Sequence, residues 1–160
     1  LCGRVDIEEV IRNTSPVPVG GNFEFRAICS LPDTLCAGQT VFASTGGAHA
    51  AGLFDTTGTV LVVREDVGRH NALDKVIGHA LLHRRATAGL GAFLSGRVSL
   101  ELIIKAARAG FAVVAAISAP TDAAVEAAER LGITLCGFVR EGRVTVYAHP
   151  ERLCAAGGQA

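Results

Sequence analysis

From residue 60 onward one unit recurs: an apolar β-like run, a short polar turn, then a stretch with helical spacing. Val60 to Val63 leads through Glu65 to Asn71 into a long helix ending near Arg85. Leu90 to Leu94 leads through Ser95-Gly96-Arg97 into a helix over Val98 to Ala109, closed by Gly110. Phe111 to Ile117 leads through Ser118-Ala119-Pro120-Thr121 into a helix over Asp122 to Leu131, closed by Gly132. Strands alternating with helices in this way imply βαβ units, hence an α/β fold. A closing hairpin, Ile133 to Val139 and Val144 to Ala148 around Arg140-Glu141-Gly142-Arg143, makes the expected sheet mixed, though mostly parallel.

The first third is less regular. Val5 to Asn13 reads as a short helix, and Thr14 to Asn22, with Pro16, Pro18, Gly20 and Gly21, as a loop. Phe23 to Ile28 reads as a strand or extended lead-in. A helix is expected from Asp33, its plausible N-cap, to about Ser44, stopped by Gly46-Gly47. Ala51 to Asp55 and Thr59 to Arg64 form a hairpin around Thr56-Thr57-Gly58.

With 160 residues, 49% of them apolar, the chain can bury a sizeable core as one domain over 1–154, with 155–160 a frayed tail. Lys plus Arg equal Asp plus Glu at 15 each, so no basic nucleic-acid or membrane-binding surface is expected. The longest apolar stretch, Ala109 to Ala119, falls short of the roughly 20 residues a membrane span requires. No signal peptide is visible. The sequence has no Met and opens on Leu1-Cys2-Gly3, which reads as the middle of a motif with residues missing upstream. The five cysteines, Cys2, Cys29, Cys36, Cys136 and Cys154, are irregularly spaced. That argues against a disulfide scaffold and a structural zinc site, and for a reducing, cytoplasmic compartment.

The densest chemistry lies in Arg64-Glu65-Asp66-Val67-Gly68-Arg69-His70-Asn71, where a strand hands over to a helix. Turns after parallel strands share one sheet edge, which is where α/β proteins place ligands. The turns 64–71, 95–99 and 118–122 each precede a helix N-terminus, which favours anions. Arg64, Arg69 and Arg97 supply guanidinium groups, Ser95, Ser99, Ser118 and Thr121 hydroxyls, and Gly68 and Gly96 close backbone approach. A phosphate or diphosphate ligand fits this set. The plainer alternative is that Ser99 and Thr121 cap helices while Arg64 and Arg69 pair with Glu65, Asp66 or Asp74.

Other features divide similarly. His79 and His83 have the outer spacing of HExxH, but position 80 is Ala, so they read as solvent-facing. Gly47 and His49 lie in a flexible loop that is either structural or ligand-touching. Cys36 and Cys136 read as small core residues. Cys2, followed by Gly3 and Arg4 ahead of a helix, is either an activated thiolate or a surface thiol.

Several stretches together resemble the FdhD family, the formate dehydrogenase accessory sulfurtransferases, also called FdhD/NarQ. They are LCGR at 1–4, STGGAHAA at 44–51, REDVGRHNALDKVIG at 64–78 and SGRVSLELIIKAARAG at 95–110. SAPTDAAVEAAERLGITLCGFVR at 118–140 and VYAHPERL at 146–153 continue the match. The resemblance implies a cytidine deaminase-like fold with helices on both faces of a mixed sheet. It implies a cytoplasmic homodimer that takes sulfur from a cysteine desulfurase as a persulfide. That sulfur passes to the molybdenum cofactor, in its bis-molybdopterin guanine dinucleotide form, for formate dehydrogenase.

The persulfide sits on a CxxC-type motif, of which Cys2 corresponds to the second cysteine; the first, the expected carrier, would precede Leu1. The family's cofactor-binding stretch corresponds to Phe138, Val139, Arg140, Glu141, Gly142 and Arg143. Arg69, His70, Asn71, Ser95, Gly96, Arg97, Ser118, Thr121, Gly47 and His49 are expected to complete the pocket, and a GDP-like nucleotide could occupy it. On this reading Arg69, Arg97 and Arg140 converge on one anion cradle. The alternative is a non-catalytic chaperone module that binds the guanine nucleotide or cofactor. A zinc deaminase is disfavoured, and no metal ligands are expected: Ala50 and Ala51 follow His49 where a HxE is needed, and the turn 118–121 holds no cysteine.

Overall fold

The computed structural model describes residues 7–18 and 20–154. The expectations for Cys2 and for 155–160 lie outside them. Helix α1 (Ile7–Arg12), strand β1 (Phe23–Glu24), helix α2 (Phe25–Ala37) and helix α3 (Thr40–Thr45) come first. Then follow β2 (His49–Phe54), β3 (Val60–Asp66), α4 (Arg69–Leu82), β4 (Gly91–Leu94), α5 (Leu100–Ala109), β5 (Val113–Ala116) and α6 (Asp122–Leu131). β6 (Thr134–Arg140), β7 (Arg143–Ala148), a 3-10 turn (Pro150–Arg152) and β8 (Leu153–Cys154) complete the described residues.

The main sheet has the order β3-β2-β4-β5-β6-β7. Only β4–β5 and β5–β6 pair in parallel; β2 is antiparallel to both its neighbours and β7 to β6. The expected parallel majority therefore fails as hydrogen-bonded pairs but holds as strand direction. The crossover through α4 hops over β2, so β3 runs the same way as β4, β5 and β6. The C-terminal ends of those four strands share one edge with the N-terminal ends of β2 and β7. Asp66, Leu94, Ala116, Arg140, His49 and Arg143 thus mark a single rim.

Crossovers of one hand place α4, α5 and α6 side by side on one face, where α4 touches α5 and α5 touches α6. α2 covers the other face, against β2, β3, β6 and β7. Helices therefore lie on both faces. β4 and β5, sandwiched between them, are buried at every residue. α5 sinks Leu102, Ile103 and Ile104 into the core, each contributing about 1.5–3 kcal/mol of apolar burial. No helix among the described residues is long and apolar enough to cross a membrane.

The structure corrects the reading of residues 23–44. Strand β1 is two residues long, and α2 starts eight residues before Asp33. Ile28, Leu31 and Leu35 are buried at helical spacing, and their burial carries the helix through Pro32 despite its missing N–H. Asp33 is a helix-interior residue and caps nothing. The chain breaks at Gly38, which lies so close to β3 that an added Cβ would meet Val63 at 3.0–3.2 Å. Cys36, expected in the core, is exposed on α2, whereas Cys136 is buried and its thiol is pushed up to about 12 by burial.

β8 had no sequence counterpart. It pairs in parallel with β1, Phe23 opposite Leu153 and Glu24 opposite Cys154. Beside it Arg152, 4% exposed, donates to Gly20 O (3.1 Å), Pro18 O (3.0 Å) and Thr134 Oγ1 (3.3 Å).

His149, in the left-handed region at φ 48°, ties β7 to α6. Its Nε2 lies 2.9 Å from Glu129 O and its Nδ1 2.7 Å from a Glu151 carboxylate oxygen. The bond to Glu129 O, followed by the Glu151 carboxylate, raises its pKa above the ordinary 6.5. A raised folded pKa means the contribution to stability is complete below pH 6.5 and is lost as pH climbs through the folded value. His70 and His79, lowered mainly by burial, act in the opposite sense. The difference isolates His149: His149→Asn, which tolerates the left-handed backbone, should lose stability at pH 5.5 relative to wild type and converge with it by pH 9. Parallel melting curves at both pH values would count against the ion pairs.

Candidate functional site

The acids of the rim are already engaged. Asp66 takes the Lys75 ammonium at 2.6 Å, the Gly68 N–H at 3.0 Å and the Asn71 amide at 3.1 Å. Those bonds, Lys75 foremost, hold its carboxyl at about 2. Glu65 accepts the backbone N–H groups of Val41 and Phe42, both at 2.8 Å, and so pins α3 against the rim. Arg64 donates to Val63 O and to His79 Nδ1 at 2.8 Å, so His79 is bonded rather than solvent-facing.

Arg69 pairs with none of the expected acids. Its Nε is buried without a hydrogen-bond partner. A Cβ on Gly96 would sit 3.2 Å from His49 Nδ1 and 3.7 Å from Arg69 Cδ, so both side chains close over that glycine. Gly68 gives α4 no side-chain cap, which leaves the first N–H groups of that helix available, whereas at α5 the Glu101 carboxylate takes its own N–H and the Ser99 hydroxyl. Ser99 also bonds His70, Oγ to Nε2, at 3.1 Å. Burial, then the Arg69 and Lys105 cations, push the His70 imidazole below its usual range. Thr121 does cap α6, accepting the Ala124 N–H at 3.2 Å.

The turns touch one another along the rim. Val98 N–H donates to Ala119 O, Thr121 N–H to Val98 O, and Phe138 N–H to Ser118 O. Ser95 exchanges bonds with the Ala50 backbone through its Oγ and N–H.

The expected residues nevertheless divide among three cavities. A groove of about 840 Å³ is lined by Phe25, Phe138 and the hairpin 140–145. There the Arg140 guanidinium lies 5.8 Å from the Phe138 ring centroid and Arg143 reaches Glu141 at 3.3 Å. A second cavity, about 620 Å³, holds Gly47, His49 and Ser95 together with Asp33, Cys36, Gln39 and Phe42. A third, about 430 Å³, lies on the α5 face with His70, Glu101 and Lys105. Arg69, Asn71, Gly96, Arg97, Ser118 and Thr121 line none of these, and Val139 is buried in the core. Arg140 therefore shares none of these three cavities with Arg69 or Arg97. Arg140 shares its groove with Phe25 of α2, and its strand β6 is separated from β3 by β2, β4 and β5.

Helix α2 links the first two cavities. Phe25 lines one, Pro32, Asp33 and Cys36 the other, and Cys29 between them donates its Sγ–H to Gly142 O at 3.5 Å. Asp33, Gln39 and Phe42 escaped the sequence reading because 33–44 looked like one amphipathic helix. The break at Gly38-Gln39 was the available signal.

Comparisons with known proteins agree on one family. The FdhD/NarQ family model matches residues 1–154. A protein named sulfur carrier protein FdhD from Nocardia farcinica is 49% identical over 156 residues, covering 96% of this chain and 56% of that protein. Its counterpart in Thermoplasma acidophilum is 41% identical, covering 96% and 54%. A crystal structure described as a formate dehydrogenase accessory protein from Desulfotalea psychrophila superposes with a TM-score of 0.82 at 30% identity, covering 92% of this chain and 62% of that one. The chain thus spans little more than half the length of the curated relatives it matches.

Proposed function

The chain belongs to the FdhD/NarQ family, and on that footing we propose that it is the cargo-binding part of a sulfur carrier serving formate dehydrogenase. In this reading a cysteine desulfurase supplies sulfur and a cysteine persulfide holds it. The acceptor is the molybdenum cofactor in its bis-guanine-dinucleotide form, on its way to formate dehydrogenase. The working unit is a homodimer in the cytoplasm. Cys2 belongs to the persulfide motif and lies outside the described residues.

The supporting observation is the hairpin 140–143. Arg140 has no acidic partner among the described residues and lies against Phe138, while Arg143 extends into the same groove with only an exposed contact to Glu141. Two guanidinium groups beside an aromatic ring suit a diphosphate carrying a base, through charge-assisted bonds and stacking. Arg69, with its buried unpartnered Nε, and the uncapped α4 offer further anion contacts along the rim.

Calorimetry with GDP tests the groove. Binding should weaken at least 100-fold in the Arg140→Ala, Arg143→Ala double variant, at about 1.5–3 kcal/mol per charged hydrogen bond. Unchanged affinity would exclude the hairpin as a phosphate grip. Sulfur carriage itself is tested with a desulfurase and cysteine: a persulfide detected by mass spectrometry on the motif cysteines supports the carrier. Its absence in the full-length protein leaves a chaperone without sulfur chemistry.

A further inference from the structure

We propose that His70 is the base that takes the proton of a thiol entering the cavity on the α5 face, and that Arg108, beside Lys105, holds the thiolate so formed. This deepens the sulfur-carrier reading by supplying its proton acceptor, and rests on that reading only for which thiol enters. The cavity, about 430 Å³, is lined by Val10, His70, Glu101, Ile104, Lys105 and Arg108.

Hydrogen-bond donors fix the tautomer of His70. The Ser99 hydroxyl has one hydrogen, and it goes to the Glu101 carboxylate, which can only accept. The Ser99 oxygen therefore accepts from His70, so Nε2, 3.1 Å away, carries the imidazole hydrogen. In the neutral ring Nδ1 is then a bare lone pair, without a hydrogen-bond partner among the described residues. Burial, then the Arg69 and Lys105 cations, outweigh the Glu101 and Asp74 carboxylates and hold the ring below its usual range. It is uncharged at neutral pH and free to accept a proton. Ser99 is no nucleophile here, because its own hydrogen is committed to Glu101; it positions the ring.

The rest of the wall suits a thiolate. A nearby cation lowers a thiol's pKa. Lys105 is shared with Asp74 at 2.5 Å, whereas Arg108 is exposed and has no acidic partner among the described residues. Val10 and Ile104 give an apolar side for the polarisable sulfur. Val10 lies on α1, which begins at Ile7, and Cys2 precedes Ile7 by five residues, a span of at most about 18 Å. Neither of the other two cavities has a wall from α1.

The step needs no oxidant. His70 Nδ1 takes the proton of the carrier thiol, and the thiolate attacks the outer sulfur of the donor's persulfide. A new S–S bond forms, the donor's S–S bond breaks, and the donor sulfur leaves with the electron pair. The imidazolium returns its proton to that sulfur. The carrier ends as a persulfide and the donor as a thiol.

The full-length protein is labelled with iodoacetamide across the pH range, and the rate at each cysteine is read by peptide mass spectrometry. Cys36, exposed in the wall of another cavity, is the reference; Cys136, fully buried, stays unlabelled while a variant is folded. At neutral pH the faster motif cysteine should react at least tenfold faster than Cys36. His70→Gln keeps a donor toward Ser99 but no base. It should slow the motif cysteine at least tenfold and move its pH midpoint upward, with Cys36 unchanged. Ser99→Ala and Arg108→Gln should each slow it at least threefold, and they decide the matter if His70→Gln exposes Cys136.

Motif cysteines no more reactive than Cys36, or an unchanged rate and pH profile in the folded variants, overturn the proposal. The persulfide assay with desulfurase and cysteine separates the two readings. An activated thiol that never takes up sulfur sinks the carrier and leaves the base. Equal sulfur uptake by wild type and His70→Gln sinks the base and leaves the carrier.

Discussion

Arg152→Ala should lower stability by about 4 kcal/mol, the largest effect of any single truncation considered. Three acceptors, Gly20 O, Pro18 O and Thr134 Oγ1, lose a cationic donor at a site 4% exposed. A buried group stranded in this way costs about 1–3 kcal/mol, and hydrogen bonds to charged groups lie at the upper end. For a chain of this size the melting temperature should fall by roughly 8–16 °C. Arg152→Lys keeps the charge but replaces a rigid fork with a point donor, so it should recover less than half of the loss. Calorimetric melting of the three proteins decides the matter. A shift under 3 °C for the alanine variant would mean that water replaces the guanidinium.

Gly91→Ala should be almost as damaging, for the opposite reason. Gly91 lies at the start of β4, opposite Phe54 of β2. An added Cβ would come within 2.2 Å of Phe54 Cζ and 2.6–2.7 Å of two further ring carbons. Phe54 is fully buried and packs edge-on against Phe23, so the ring has no room to retreat. Overpacking of this kind costs about 3 kcal/mol. Phe54→Leu in the same chain should restore part of it, giving a double variant more stable than Gly91→Ala alone. Denaturant unfolding of the four members of the cycle measures this coupling directly. Strict additivity would show that the strand shifts to accommodate the methyl group and that the clash is relieved elsewhere.

The two kinds of position differ in how far the sequence revealed them. The repeating units after residue 60 were legible because each strand, turn and helix is local. α6 spans Asp122–Leu131 with Thr121 as cap, as the spacing and the hydroxyl suggested. Gly46, Gly110 and Gly132 close helices in the left-handed conformation, which a side chain resists. What depends on distant partners was not legible. The buried stripe of α2 needed the sheet face that it covers, and Pro32 pointed the other way. That β2 would insert between β3 and β4 is a choice among topologies that periodicity cannot distinguish.

The same division holds at the rim. The turns 64–71, 95–99 and 118–122 and the hairpin 140–143 do reach one edge, because strand direction alone decides it. Which side chains share a cavity depends on the α2 packing and on the twist of the last hairpin. Arg140 therefore lines a different cavity from His49 and Ser95, and Gln39, unremarkable in the sequence, joins the wall of the second cavity. The fates of Glu65 and Asp66 were also hidden. Both were candidate partners for arginines, and both went to backbone N–H groups and Lys75 instead.

The parallel pairing of β1 with β8 joins residues about 130 positions apart, Phe23 to Leu153 and Glu24 to Cys154. During translation the segment around Phe23 leaves the ribosome long before its partner exists. The βαβ units can assemble as they emerge, but the loop at 18–24 must wait for Leu153 before its carbonyls and strand edge are covered. A released chain that stops just short of position 150 should hold a nearly complete main sheet with an open seam at its early end, where proteases cut first.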